Sequence, residues 1–257
     1  MKLLKKLMSK RNNAGFTLVE VVISVALLGV LLVSMTLFVG PVLQAAGGAK
    51  KDIRASVLAE TISAYVDRSV KYSRHVAVFD GAAITGAQKT TDMNAIYDSD
   101  ELKKFKEFFE ADPDAHFENI YEIRCIGICW RMDDRTNESK YMLSLGKVGK
   151  AGTGRYEILK TTQVFEDCFY DELFPVIKVE AVSSPTDGSK TPAFKMNIDV
   201  YSNDAMTDVA MSGAGYTQLI NITKDNAEKN LSFKTVRTPA SGEKTDTYIF
   251  YITRKTF

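Results

Sequence analysis

Histidine is nearly absent from this chain: His75 and His116 are the only two in 257 residues. Neither lies in an H-E-x-x-H arrangement or beside a cysteine cluster, which excludes the common histidine zinc sites. No G-x-S-x-G nucleophile elbow occurs. Gly146-Lys-Val-Gly149-Lys150-Ala151-Gly152-Thr153 fails as a phosphate loop, because the spacing is wrong and Ala151 follows the lysine. It reads as a glycine-rich hairpin turn. The carboxylate pairs Asp133-Asp134 and Asp98/Asp100 fall in stretches that read as loops, where charge is ordinary. His75 follows a long helical pattern, where it is expected to complement the helix dipole or to be exposed. The chain is therefore expected to be no enzyme, with no catalytic residue, no cofactor and no metal ligand.

Cysteine is scarce as well. Cys125, Cys129 and Cys168 are the full set, and an odd count leaves at least one thiol outside any intrachain bridge. On a strand, Cys125 and Cys129 would share a face but lie about 13 Å apart, too far for a disulfide. Cys168 could pair with either, or all three could be thiols.

Acid is absent from the first fifteen residues, which hold Lys2, Lys5, Lys6, Lys10 and Arg11. The whole chain has 33 basic and 32 acidic residues, so removing those five leaves 28 against 32. The body is mildly acidic, without the broad basic bias of a nucleic-acid-binding protein. These counts say nothing against a local basic patch in the fold. Charge is then missing altogether from Val21 to Gln44. At 1.5 Å per residue this apolar run spans roughly 36 Å, enough to cross a hydrocarbon core of about 30 Å. A secretory signal ends in a small-residue cleavage site, whereas here the small residue, Gly15, comes before the apolar run. Cutting is thus expected on the cytoplasmic side, with the apolar segment retained. The basic residues favour the same side. Glu20 stands at the mouth of this run, where a carboxylate is costly.

Pro41 and Gly47-Gly48 predict a kink or soft spot, not a stop. The helical pattern resumes with Ile53, Val57/Leu58, Ile62, Tyr65/Val66 and Val70, an amphipathic stripe suited to packing on a folded domain. One helix is expected from about 16 to 74. Residues 80–98 read as loop. A short helix at about 99–111 follows, with Asp98 and Glu101 at capping-box spacing and Leu102, Phe105 and Phe109 inward. From 118 the period becomes two. The expected strands are 120–132, 140–146, 155–165, 175–183, 193–202, 216–223, 231–237 and 246–254, in an antiparallel sheet. A helical turn is expected near 167–173.

The residues Gly15-Phe16-Thr17-Leu18-Val19-Glu20, with the basic segment before them and the apolar helix after them, make the N-terminus resemble a type IV prepilin-like protein. Pilins, minor pilins and pseudopilins share this layout. The resemblance covers about 35 residues closely. It implies an α+β fold, a pilin-like lollipop: a long N-terminal helix whose first half spans the membrane, packed on a C-terminal antiparallel β-domain. The expected divisions are a basic leader at 1–15, a membrane and filament-core helix at 16–44, an amphipathic continuation at 45–75 and an extracytoplasmic β-rich domain at 76–257.

By the same resemblance, a prepilin peptidase cuts between Gly15 and Phe16 and methylates the Phe16 amine. Glu20 then serves assembly by pairing with such an amine on a neighbouring subunit. The implied partners are the prepilin peptidase, other pilin or pseudopilin subunits, the cytoplasmic membrane, and the assembly platform with its ATPase. Nucleic acid enters only as an indirect partner. The implied role is a structural subunit of a pilus, secretion or DNA-uptake filament. The alternative is a single-pass anchored surface-binding domain or a pilus-tip adhesin. No cysteine follows Cys168, so the C-terminal disulfide loop of many major pilins is missing. The length points to a minor pilin or pseudopilin. Some pseudopilins hold calcium, but Asp92-x-Asn94-x3-Asp98-x-Asp100-Glu101 departs from the EF-hand pattern at Ile96 and lacks the following glycine. A solvated helix N-terminus accounts for these acids.

Overall fold

The computed structural model describes residues 17–83, 86–111, 120–132, 139–183, 192–223, 227, 229–240, 243 and 245–255. The chain divides into two compact units, Met1–Lys50 and Lys51–Phe257. Helix α1, Leu18–Val70, contributes to both, and its assignment continues through Pro41 and Gly47-Gly48. An α-helix tolerates one missing N–H when its flanks strongly favour the helix, which the uncharged Leu/Val/Ala sequence does here.

In the first unit every described residue from Thr17 onward is exposed. This is the one helix among the described residues long and apolar enough to cross a membrane, with a window of mean hydropathy 2.7. Two of its internal hydroxyls bond their own backbone: Ser34 Oγ donates to Val30 O at 2.8 Å and Thr36 Oγ1 to Leu32 O at 3.1 Å. Both of these hydroxyl hydrogens are thus paired within the helix, as an apolar solvent requires.

In the second unit α1 buries Ala55, Leu58, Ala59, Ile62, Val66 and Val70. The expected stripe is thus shifted at its start. Ile53 and Val57 are exposed, and the smaller Ala55 and Ala59 face inward instead. The strands form two sheets. Six strands run β4-β3-β2-β9-β1-β8 and three run β5-β6-β7. Their ranges are β1 Val76–Ala83, β2 Tyr121–Met132, β3 Ser139–Lys150, β4 Tyr156–Gln163, β5 Phe174–Ser183, β6 Pro192–Tyr201, β7 Val209–Gln218, β8 Leu231–Thr235 and β9 Thr245–Arg254. All pairs are antiparallel except β1 with β8, which is parallel. The expected antiparallel β-domain is thus present, its strands divided between two sheets with one parallel pair.

The central strand β9 is buried on both faces, which explains its nearly continuous apolar run. Ile249 and Tyr251 face a core shared with α1 and the three-stranded sheet. Tyr248, Phe250 and Ile252 face a second core under helices α2, Gly86–Tyr97, and α3, Asp100–Glu110. Thr247 Oγ1 joins the sheets, lying 2.6 Å from Asp80 Oδ1 and 2.9 Å from Ile177 O.

Several boundaries differ from expectation. The supposed loop at 80–98 contains the end of β1 and helix α2. This helix is held by Asp92, which accepts from Ala83 N at 2.7 Å, Gln88 Nε2 at 3.1 Å and Arg237 Nε at 2.9 Å. Gly81, with φ +81°, forms the bulge between Asp80 and Ala82, and a Cβ there would lie 2.5 Å from Arg237 O. The cap of α3 is Ser99 instead of Asp98, with Leu102 N donating to Ser99 Oγ at 3.3 Å. Strand β3 runs through Gly149 to Lys150, and the turn comes later, at 151–155. The turn at 167–173 contains helix α4, Asp167–Tyr170.

The strand expected at 216–223 lies seven residues earlier at its start, as β7. Gly213 and Gly215, before the expected start, are strand residues where α1 approaches closely. A Cβ on Gly215 would stand 2.0 Å from Ser63 Oγ and 3.2 Å from Ser63 Cβ. Replacing Gly215 by Val should therefore force α1 from β7 and cost about 1–3 kcal/mol, read as a lower urea midpoint at unchanged slope.

Candidate functional site

The start of α1 is built by its own first residues. Thr17 is the N-cap. Its backbone N donates to Glu20 Oε2 at 3.1 Å, while Glu20 N donates to Thr17 Oγ1 at 3.3 Å. Thr17 Oγ1 also lies 3.2 Å from Glu20 Oε2. This is a reciprocal capping box, T-x-x-E, in which two otherwise unpaired N–H groups are satisfied. Glu20 also lies in the first turn, where the helix dipole favours an anion. The expected costly carboxylate is thus locally bonded before any partner arrives. Thr17 was overlooked in the sequence although the Thr17-Leu18-Val19-Glu20 spacing announces it.

Gly15 and Phe16, the expected cleavage and methylation residues, lie outside the described residues, two positions and one position before the cap. Beyond Glu20 the helix presents an apolar surface, with Leu28, Leu37 and Phe38 each more than 60% exposed. A continuous apolar surface of this size calls for lipid or another apolar surface to cover it.

The other candidates have structural employment. Asp92 is 4% exposed and lies on a helix, not in a solvated loop. Burial alone would raise its carboxyl. The Ala83 N–H, Arg237 and Gln88 bonds, with the guanidinium charge, outweigh this and hold it below its usual value. Asn94 and Asp98 both accept from Arg155, at 2.9 Å and 3.0 Å. Asp100 pairs with Lys103 and Glu101 with Lys234. Among the described residues no cluster of three or more His, Cys, Asp or Glu side chains is arranged to hold a metal.

Cys125 is a buried thiol in the second core and Cys168 an exposed thiol. The side chain of Cys129, His116 and Asp133-Asp134 lie outside the described residues.

His75 departs from both expectations, since it is buried and uncharged. Its ring packs edge-on against Phe108, with centroids 4.6 Å apart, and lies 5.9 Å from Phe105. Burial, with the nearby Lys104 and Arg74 charges, lowers its pKa to about 4.

Residues 10–36 match the family model described as the prokaryotic N-terminal methylation motif. The chain carries the N-terminal methylation motif typical of type IV prepilin-like proteins. No curated protein and no solved structure matches it. The matched segment includes Gly15, Phe16, Thr17 and Glu20 and ends inside the uncharged part of α1. The motif implies processing by a prepilin peptidase. With the apolar helix it indicates a membrane or pilus location. The α+β arrangement, a long N-terminal helix packed on antiparallel-rich sheets, is pilin-like, and proteins of that kind are usually non-enzymatic structural subunits.

His75 supplies a pH signature of the folded domain. Its folded pKa lies below the unfolded value of about 6.5, so the unfolded chain binds the extra proton between the two. Stability should be complete above about pH 6.5 and fall by roughly 1–2 kcal/mol toward pH 4. Urea titrations across this range should show the slope in the parent chain. His75→Leu should flatten it.

Proposed function

We propose that the chain is a minor pilin or pseudopilin, a structural subunit of a type IV pilus-like filament serving pilus assembly, type II-like secretion or DNA uptake. The observation that carries this reading is the methylation motif running directly into a capped, uncharged helix whose apolar surface lies bare. Before assembly that surface is covered by the cytoplasmic membrane, with the folded domain outside. In the filament the helices of other subunits cover it. An assembly platform and its ATPase drive the transfer between the two.

A peptidase that removes residues 1–15 would leave an amine on Phe16, next to the capped Thr17. Glycine at position 15 suits a backbone that must enter the peptidase active site closely. The Thr17–Glu20 box would hold the first turn of the helix in shape while the chain waits in lipid. Glu20 then has two tasks: it caps its own helix, and its charge pairs with a neighbouring subunit's Phe16 amine. A carboxylate left without that amine in a dry filament core is costly, so misplaced subunits are rejected. Catalysis, a cofactor and a metal have no part in this role.

Intact-mass measurement on chain made in cells with an active prepilin peptidase should find a start at N-methylated Phe16. A start at Met1 would end the prepilin assignment.

The two tasks of Glu20 separate by substitution. Gln preserves a capping box but not the charge. Both Glu20→Gln and Glu20→Ala should be cleaved normally and enter filaments at least about tenfold less than the parent. Normal incorporation of Glu20→Gln would reduce Glu20 to a helix cap.

A further inference from the structure

The body of the chain is mildly acidic, but one part of the six-stranded sheet is not. Arg124 on β2 stands directly opposite Lys147 on β3, and Lys147 directly opposite Lys160 on β4. Directly opposed residues point to one face with Cβ atoms about 4.5–5.5 Å apart. The three cations therefore form a row across three strands, about 10 Å long. All three line one recess of about 220 Å³, together with Glu122 and Thr162. Glu122 is the recess's carboxylate, and it is bonded to Arg124. Lys147 and Lys160 are exposed and have no ion-pair partner among the described residues.

Like charges placed directly opposite destabilise a sheet. A lysine on an edge strand has an ordinary purpose, since it discourages the addition of a foreign strand, and Lys160 on β4 meets that description. The explanation does not reach Lys147, which is on an interior strand. Nor does it explain why the two face each other with Arg124 behind them. An anion spanning the row would turn the repulsion into attraction.

We infer that this recess binds the phosphodiester backbone of a single nucleic-acid strand without reading its sequence. Lysine, arginine and threonine side chains are phosphate-contacting groups, and such contacts position a strand without identifying bases. The recess has no aromatic lining on which a base could stack. Its volume admits one polymer strand, while a duplex has a major groove alone about 12 Å wide. An acidic peptide would most readily join as an added strand beside β4. That edge is blunted: Lys147 pairs with Lys160 and Val148 with Ile158, so Leu159 is bulged out beside the row. The inference goes beyond the subunit role proposed above and does not depend on assembly.

The test is fluorescence anisotropy of a labelled oligothymidylate with the full chain in detergent, across a salt series. The log of affinity should fall linearly against the log of salt, the three recess cations contributing about −2 to the slope. The double variant Lys147→Gln/Lys160→Gln should lose about tenfold in affinity and make the slope shallower by about 1.4. The basic residues at the N-terminus are common to every variant, so the difference reports the recess alone. Lys147→Arg/Lys160→Arg should keep affinity. Lys150→Gln should also keep it, because Lys150 lies outside the recess and pairs with Glu110. The Tm of the Gln double variant should equal or exceed the parent's, because a repulsion has been removed. Unchanged affinity in the Gln double variant, or lost affinity in the Arg variant, overturns the inference. So does polyglutamate competing as well as an oligonucleotide of equal charge, which would assign the recess to an acidic protein.

Discussion

One helix has to satisfy two solvents. Along α1 the residues before Lys50 carry no charge after Glu20, while those from Lys51 onward mix charge with a buried stripe. Helix formation is indifferent to this change, because its hydrogen bonds are internal in lipid and water alike. Side chains are not indifferent. In the first part Ser34 and Thr36 bond back to their own helix. The second part alternates small and large inward residues, so that Ala59 and Ser63 let the backbone of β7 come close while Leu58, Ile62 and Val66 fill the core. The fold of the second unit follows from this docking: a sheet already covered by α2 and α3 on one face is closed on the other by α1 and the three-stranded sheet.

The legible parts of the sequence were those where one periodicity dominated. The uncharged run, the amphipathic α3 and the alternating β2 each announced themselves through side-chain spacing alone. Helix α2 did not. Its sequence, Gly86–Tyr97, has few apolar residues and two adjacent threonines, and a buried carboxylate bonded to Arg237, 145 residues away, holds it in place. No local window contains that information. Strand β7 was displaced for a similar reason. Its glycines serve a close helix approach, which the sequence presents in the same letters as a turn. His75 was misread because its neighbours, Phe105 and Phe108, come from another element.

At the candidate site the sequence and the structure contribute different things. The residues 15–20 and their flanks carry the motif, and the structure adds the reciprocal bonding of Thr17 and Glu20. A carboxylate already held by its own helix is a different chemical object from a bare one. Part of its hydrogen-bonding capacity is filled, which reduces the cost of transferring it to an apolar phase. The cation row could not be read from the sequence at all, because Arg124, Lys147 and Lys160 become neighbours only through strand register.

The position of β9 sets the order in which the molecule can be made. This strand lies between β2 and β1, pairing residues near 250 with residues near 78 and near 126. Synthesis delivers α1 first and β9 among the last segments, at about 5–20 residues per second. Until Thr245–Arg254 arrives, β1 and β2 lack the strand that joins them, and the domain has two unpaired interior edges. Non-local pairing of this kind is also slow to form once the chain is available. The apolar helix is therefore complete well before the domain beyond it can close, and until then the chain carries open strand edges.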